Sequence, residues 1–270
     1  MLLIDGNPNG RMQCELSNWT GKAYRIPKKQ LKICGDRPDL DHAGIYILFG
    51  RTDDRKETAY IGEADCIRKR LQQHSKKEFW NEVIIFISKD NNLNKGHIRY
   101  LEKRLCEMAT QAERYILKNA NNPGIRNISE SDQAEMEEFI DNLKILINAL
   151  GFKIFESLRE ENPSESDENK NLFHIEAIRG VNARGQSTSE GFVVLKGSSI
   201  AESVTNSFPK NNIELRNRLI EEKIIVDHIF TKDYLFSSPS TAASIVMGRS
   251  ANGLTEWRLE DGRVLKSVEA

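Results

Sequence analysis

Five side chains in the first half of the chain have types and spacings suited to chemistry on a phosphate ester. Arg70 carries a permanent planar charge that can bind phosphate oxygens in two places. His74 follows four residues later, so on a helix both side chains face the same way. Glu102 offers one carboxylate, which suits Mg²⁺ because this ion keeps most of its waters. Tyr46 and Tyr60 are a less usual choice, because a phenol with a pKa of about 10 needs a nearby cation to act as a base.

The tyrosines belong to a predicted β-hairpin. Residues 44–50 and 57–62 are β-type runs separated by a polar loop. Residues 83–88 form a short continuous apolar run that is typical of a buried strand. The pattern therefore predicts a small sheet whose strands carry Tyr46 and Tyr60.

Helices are expected to carry the remaining candidates. Residues 65–77 predict a helix with Asp65 as its N-cap. A longer helix over about residues 97–117 has an apolar stripe at helical spacing. A third helix is expected to begin after Ser129, as its cap, and to end at Gly151.

Two tripeptides place this region in a recognisable pattern. Residues 44–46 read Gly-Ile-Tyr and residues 60–62 read Tyr-Ile-Gly, with 13 residues between the tyrosines. Strand, strand, arginine helix, strand and glutamate helix then follow in order. This arrangement resembles the GIY-YIG nuclease superfamily, and the resemblance covers roughly residues 40–125.

The resemblance implies a role for each candidate. Arg70 matches the essential arginine of the family, and Glu102 matches its metal-binding glutamate on a later helix. His74 matches a histidine of restriction-enzyme members. One tyrosine would activate water while both Tyr46 and Tyr60 line the site, and the sequence does not say which of them is the base.

The chain also departs from the family pattern. Members related to the nuclease subunit of bacterial excision repair have a lysine directly after the Tyr-Ile-Gly motif, where this chain has Glu63. A repair role is therefore disfavoured. The late asparagine of the family has three candidates, Asn119, Asn121 and Asn122, of which Asn121 fits best because it lies two residues before Pro123.

Each candidate also has an ordinary structural interpretation. Tyr46 and Tyr60 taken singly would be core aromatics of strands. Arg70 would lie on a solvated helix face, and Glu102 would be an exposed ion-pair partner. The joint occurrence in family order favours the functional interpretation for these four. For His74, a site residue and a surface or capping histidine stay open.

The charge distribution adds a hint about the partner. Residues 1–129 hold 23 Lys and Arg against 16 Asp and Glu, whereas residues 130–170 hold 4 against 12. A basic first half suggests a polyanion partner, and a merely solvated surface is the alternative. The candidate phosphate contacts, each with a surface-solubility alternative, are Lys76, Lys77, Arg99 and Arg104.

A second domain is expected beyond an acidic linker. Residues 161–171 contain almost no apolar side chain, so we predict domains at 1–160 and 172–270. Strands are expected near residues 173–180 and 191–197, two helices follow them, and an Asp-Gly turn near 256–265 predicts a hairpin.

This second region resembles an uncharacterised domain that is common at the C-terminal end of bacterial GIY-YIG proteins. The resemblance covers roughly residues 190–265, and its most specific part is GRSANGLTEW. Arg249, Asn252 and Trp257 within it could form a polar recognition surface, or they could hold a small domain together. A targeting or partner-binding module is one hypothesis for its role.

Cellular location is expected from what the sequence lacks. The longest apolar runs are far below the roughly 18 residues that span a bilayer, and the N-terminus has no secretory pattern. Four scattered cysteines without CxxC spacing argue against a zinc site and a disulfide framework. We therefore expect a cytoplasmic protein without a membrane partner, whose cysteines are core thiols.

Together these features predict a two-domain α+β protein with a small, mainly antiparallel sheet flanked by helices. The expected activity is a Mg²⁺- or Mn²⁺-dependent endonuclease that acts on nucleic acid, with DNA the favoured substrate. A role in restriction or phage defence follows by analogy alone. The alternatives are a non-catalytic nucleic-acid-binding module and a nuclease subunit held inactive until it joins a larger assembly. Residues 130–170 or the C-terminal domain would then contact a partner protein or a second copy of the chain.

Overall fold

The computed structural model describes residues 1–54, 56–119, 128–159 and 172–268. Two compact units comprise Met1–Glu156 and Ser157–Ala270. The predicted linker at 161–171 and the candidate Asn121 lie outside the described residues. The division into domains at 1–160 and 172–270 therefore stays a prediction at its boundary.

The first unit is built on a seven-stranded sheet. In chain order its strands are β1 (Leu2–Leu3), β2 (Met12–Glu15), β3 (Gly21–Pro27), β4 (Gly44–Arg51), β5 (Glu57–Ala64), β6 (Glu82–Ser88) and β7 (Ile116–Leu117). Their order across the sheet is β1-β2-β3-β6-β4-β5-β7. All neighbours are antiparallel except β5 and β7, which are parallel. The expected small, mainly antiparallel sheet is confirmed.

Helices cover both faces of this sheet. They are α1 (Ile67–His74), α2 (Lys95–Ala112), α3 (Glu130–Ala149) and two 3-10 helices at Lys28–Asp36 and Pro38–Asp41. Successive side chains of a strand point to opposite faces. Ile45 and Ile47 of β4 therefore pack in the core with α2 and α3, whereas Tyr46 and Leu48 pack in the core with α1 and the 3-10 helices.

The start of α1 differs from the sequence prediction. Cys66 occupies the N-cap position and makes no side-chain cap bond, so the prediction of Asp65 as the cap is wrong. The side chain of Asp65 instead contacts Lys95, 3.0 Å away. Ile67 and Leu71 face the core, as expected for an amphipathic helix.

Both ends of α2 lie earlier than the sequence predicts. The helix begins after Asn94, whose side chain forms a capping box with His97. It ends at Ala112 because Glu113 adopts a left-handed conformation (φ 52°), and the chain then turns into β7. For α3, the predicted Ser129 cap is confirmed, and Gly151 follows the helix with φ 90°.

The second unit is a smaller α+β body. Its strands are β8 (Leu172–Ala177), β9 (Val181–Thr188), β10 (Gly191–Val194), β11 (Ile225–Val226), β12 (Ile229–Phe230) and β13 (Tyr234–Phe236). Its helices are α4 (Lys210–Glu221), α5 (Pro239–Met247), α6 (Gly253–Glu256) and α7 (Leu265–Val268). A four-stranded sheet runs in the order β13-β10-β9-β8, and β11 pairs with β12. The predicted α+β class is confirmed.

One expected hairpin of the second unit is replaced by shorter contacts. The Asp-Gly turn forms with Gly262 at φ 86°. The segments that flank it make a single bridge, Arg258 with Val264, rather than two strands. Residues on either side of this bridge belong to α6 and α7, so the prediction of a hairpin over 256–265 is wrong in extent.

No helix in the described part of the chain is long and apolar enough to cross a membrane. All four cysteines are free thiols; Cys14, Cys34 and Cys106 are buried. Cys66 is partly exposed at the start of α1, so the expectation of a core thiol is wrong for this one residue.

Candidate active site at the edge of β5

The two motif glycines allow close approach of neighbouring groups. Tyr46 lies opposite Gly62 in the register of β4 and β5. A Cβ atom placed on Gly62 would lie 2.4 Å from the hydroxyl oxygen of Tyr46. A Cβ atom on Gly44 would lie 2.4 Å from the carbonyl oxygen of Phe86. Neither glycine has a positive φ, so space and not backbone conformation requires them.

The hydroxyl of Tyr46 is buried between two side chains of α1. Nε of Arg70 donates to it over 3.1 Å, and Nε2 of His74 lies 3.0 Å away. Because a guanidinium can only donate, the single proton of Tyr46 is available for Nε2 of a neutral His74. Nδ1 of His74 then carries the ring proton, and it has no hydrogen-bond partner among the described residues.

Burial fixes the protonation states of this trio. It lowers the pKa of His74 to about 4, and the positive charges of Lys77 and Arg70 add to the effect. It also raises the pKa of Tyr46, an effect that Tyr60 reinforces and the hydrogen bond from Arg70 opposes. The bond to Tyr46 raises the pKa of Arg70. At neutral pH the site therefore holds a protonated phenol, a neutral imidazole and a cationic guanidinium.

Tyr60 completes this group on the same face of the sheet. Its ring centroid lies 6.2 Å from that of Tyr46 and 5.3 Å from that of His74. The ammonium group of Lys77 lies 5.8 Å from the centroid of the Tyr60 ring. Tyr60 is partly exposed whereas Tyr46 is completely buried, so solvent reaches only the second tyrosine of the pair.

Glu102 lies on α2, which packs on the other face of the sheet, and its carboxylate lies at the outer edge of β5. The backbone groups along this edge each meet a different partner. The carbonyl of Ala59 accepts from the backbone N–H of Lys118 over 2.8 Å. The side chain of Asn119 pairs with both backbone groups of Ile61, at 3.1 and 2.7 Å. Beyond Asn119, the carboxylate of Glu102 lies close to the backbone N–H of Glu63.

The carboxylate of Glu102 lacks compensating positive charge. Burial raises its pKa to about 7, and the negative charge of Glu63 contributes. Arg70 and Lys95 act in the opposite direction but do not cancel this effect. A cation next to Glu102 would keep it ionised at neutral pH.

A basic residue that the sequence analysis missed lies beside Glu63. Nζ of Lys95, the first residue of α2, is 2.8 Å from the carboxylate of Glu63 and 3.0 Å from that of Asp65. Nε of Arg99 is 3.9 Å from Glu63. Glu63, directly after the Tyr-Ile-Gly motif, therefore forms an ion pair with a lysine of α2, Lys95.

The carboxylates near β5 suit a hard divalent metal ion. Within the described ranges, no group of three or more His, Cys, Asp and Glu side chains could hold a metal ion. Glu63 is engaged by Lys95, which leaves Glu102 as a single half-buried carboxylate. A hard ion such as Mg²⁺, which takes one or two carboxylates and otherwise water and phosphate, fits that donor set.

The candidate phosphate contacts differ in whether they are already paired. Arg104 binds Glu137 at 2.7 Å and Glu107 at 3.1 Å, so its charge serves the packing of α2 on α3. Lys76 and Lys77 are exposed directly after α1. The structure thus removes Arg104 from the candidates, and it brings Tyr46, Tyr60, Arg70 and His74 together.

Residues of the GRSANGLTEW segment hold the second unit together. Arg249 pairs with Glu256 at 2.8 Å, and Asn252 caps α6 through the backbone N–H of Leu254. Trp257 is completely buried and donates from its indole to the carbonyl of Pro239. Of the two open interpretations of Arg249, Asn252 and Trp257, these contacts favour the structural one.

Comparison with known proteins identifies this second unit. The family model described as "Domain of unknown function (DUF4357)" matches residues 173–269. No curated protein and no solved structure matches the chain. The second unit is therefore a DUF4357 domain within an α+β chain, and the resemblance of the first unit to GIY-YIG nucleases stays a prediction.

Proposed function

We propose that the first unit is a GIY-YIG-type phosphodiesterase that cuts nucleic acid with the help of Mg²⁺ or Mn²⁺, and that DNA is its substrate. One observation carries the proposal: Arg70 of α1 donates to the buried hydroxyl of Tyr46, which also contacts His74, and the ring of Tyr60 lies beside them. A permanent cation held beside two phenols suits a reaction that places extra negative charge on a phosphate.

Each side chain has a distinct task in this proposal. Glu102 would hold the metal ion, which supplies charge neutralisation at the phosphate. The N–H groups of Arg70 that neither Tyr46 nor Gln73 engages can bind a phosphate oxygen. Tyr60 is the tyrosine that solvent reaches, so we assign it the contact with the attacking water. Tyr46 and His74 would then position Arg70, because the Tyr46 hydroxyl accepts from Arg70 and contacts His74.

Among the three candidates for the asparagine of the family pattern, we favour Asn119. Asn119 pairs with Ile61 at the same strand edge that Glu102 approaches. This position supports Asn119 as the family's asparagine, because its side chain pairs with the edge of β5 next to the place where Glu102 lies. Asn121, the sequence-based choice, lies outside the described residues and stays untested.

The proposal extends to setting and assembly. Four free thiols suit a reducing compartment, and we infer a cytoplasmic location. One chain offers one site, so cutting both strands of a duplex needs two copies or two successive nicks. A function in restriction or phage defence is compatible with this chemistry and rests on analogy.

A cleavage assay with a matched variant tests the activity. Supercoiled plasmid, single-stranded DNA and RNA are incubated with Mg²⁺ or Mn²⁺ and wild type, Glu102→Gln or Glu107→Gln. Glu107 is the control because it lies on the same helix but pairs with Lys103 and Arg104. We expect metal-dependent cutting that is lost in Glu102→Gln and kept in Glu107→Gln. Intact nucleic-acid binding without any cutting would instead favour the non-catalytic module or a subunit that needs a partner.

A further inference from the structure

A groove of about 700 Å³ lies beside the C-terminal end of α1. Residues 27–32, at the end of β3 and in the first 3-10 helix, supply most of its lining. Its lining residues are Pro27, Lys28, Lys29, Leu31, Lys32, Ser75 and Asn81. We call it the lysine groove. Of its lining residues, only Ser75 and Asn81 fall within residues 40–125, the range that resembles GIY-YIG nucleases.

The positive charges of this region are uncompensated. Lys28, Lys29 and Lys32 of the groove, and Lys76 and Lys77 beside it, form no ion pair with any carboxylate in the part of the chain that the structure describes. Other basic residues of the unit do form such pairs, including Lys22 with Asp39, Arg25 with Glu82, Arg68 with Asp41, and Arg104 with Glu137. Five lysines without an ion-pair partner in one region create a positive potential that attracts a polyanion.

A chain of contacts links the lysine groove to the candidate active site. Nζ of Lys28 lies 5.0 Å from the ring centroid of Trp80 and donates to the carbonyl of Lys77. The indole of Trp80 donates to the carbonyl of His74 over 3.0 Å. Lys77 in turn places its ammonium group over the ring of Tyr60. Lys77 therefore lies between Tyr60 and the lysine groove, where a strand bound at Tyr60 can contact both.

We propose that the lysine groove binds the sugar-phosphate backbone of the nucleic-acid strand that leaves the active site. The inference rests on the proposed function for the identity of the site it adjoins. Pro27 and Leu31 give the groove an apolar lining for sugar and base surfaces, while Lys29 and Lys32 at its rim meet phosphates. Contacts of this kind set position and affinity but carry no sequence information.

The test uses charge removal at two exposed positions. Lys29 and Lys32 are both exposed, so Lys29→Gln/Lys32→Gln should leave the fold intact. The matched control is Lys144→Gln/Lys153→Gln, which removes the same charge on and just after α3, on the other face of the sheet. Fluorescence anisotropy measures binding of a fluorescein-labelled mixed-sequence DNA, as duplex and as single strand. The salt concentration is varied from about 50 to about 300 mM, a range in which the loss of phosphate contacts changes the salt dependence. EDTA and a Glu102→Gln background prevent cleavage.

We expect at least tenfold weaker binding of the groove variant at about 100 mM salt, and a plot of log Kd against log salt whose slope falls by about 2. The control variant should keep the wild-type slope. Unchanged affinity and slope in the groove variant would overturn the inference, and so would a wild-type chain that binds no DNA.

The design separates this inference from the proposed activity. If the wild-type chain cuts nothing but the groove variant loses binding, the activity proposal fails while the lysine groove stands. If the wild-type chain cuts DNA, the groove variant should raise KM about tenfold and leave kcat within twofold, because phosphate contacts away from the reacting atoms contribute uniform binding. A fall in kcat with KM unchanged would contradict a role in binding the strand.

Discussion

The hydroxyl of Tyr46 lies directly above Gly62, so close that a Cβ atom on Gly62 would be 2.4 Å from it. The two residues face each other across the β4–β5 pair, one from each tripeptide motif. The glycine of the second motif thus makes room for the tyrosine of the first. The contact depends on the two tripeptides lying on neighbouring strands in this register.

The contact predicts the effect of adding one methyl group. Gly62→Ala should displace the Tyr46 ring and its bonds to Arg70 and His74, at a cost of about 1–3 kcal/mol in the free energy of unfolding. Cleavage should fall at least tenfold. Urea unfolding and the plasmid assay measure both effects. Gly35→Ala is the control, because nothing lies within 4 Å of a Cβ atom there. Equal stability and activity in the two variants would contradict the contact.

A second prediction separates the two tyrosines by stability as well as activity. Tyr46→Phe leaves Nε of Arg70 and Nε2 of His74 without their buried partner, so we expect a loss of about 1–3 kcal/mol. Tyr60→Phe removes a partly exposed hydroxyl and should change the free energy of unfolding by about 0.5 kcal/mol or less. Tyr60→Phe should nevertheless abolish cleavage.

Three outcomes are informative for that pair. Activity lost in Tyr60→Phe with normal stability supports its contact with the attacking water. Activity kept in Tyr60→Phe but lost in Tyr46→Phe would transfer that role to Tyr46. Full activity in both variants would remove the tyrosines from the chemistry.

The sequence could predict the motif strands and helices but not how they meet at the edge of β5. The order of elements from Gly44 to Ala112 follows from hydrophobic periodicity and is confirmed. Lys95 was missed because the helix was expected to start at His97, whereas Asn94 caps it earlier. The pairing of Lys95 with Glu63 joins residues 32 positions apart, and local pattern does not encode such a contact.

The first forty residues show the same limit. β3 is an interior strand of the sheet because it pairs with β6, for example Tyr24 with Ile85, far along the chain. Nothing local in that segment fixes its partner strand. The 3-10 helix at Lys28–Asp36 has no side-chain N-cap and packs against β3, so neither it nor the lysine groove is foreseen from local pattern.

Acid should destabilise the first unit through His74. Its pKa in the folded state is about 4, below the ordinary value of 6.5, because burial disfavours the charged ring. Between these values the unfolded chain binds a proton that the folded chain does not. Stability is therefore complete above pH 6.5 and is lost as the pH falls towards 4, by on the order of 3 kcal/mol.

The measurement compares the pH dependence of unfolding in wild type and His74→Gln. Carboxylates titrate in both proteins, so the difference between the two curves isolates the histidine. We expect the wild type to lose its advantage steadily from pH 6.5 to pH 4. The control, His228→Asn, changes an exposed histidine of the second unit and should follow the wild type. Parallel curves for wild type and His74→Gln would show that the pKa of His74 is the same in the folded and the unfolded chain, and would contradict this prediction.

The last prediction concerns what the DUF4357 domain contributes. The cores of the first unit and of the second unit have no residue in common, and every candidate catalytic residue that the structure describes belongs to the first. A chain that ends at residue 159 should therefore fold, cut at an unchanged kcat and lose affinity or site preference for its substrate. Cleavage patterns on plasmid and competition with unrelated DNA measure that loss. Because Arg249, Asn252 and Trp257 have structural contacts, we expect a recognition surface elsewhere on the domain. Unchanged affinity and preference in the shortened chain would refute a targeting role, whereas a loss of kcat would show that the domain supports the chemistry itself.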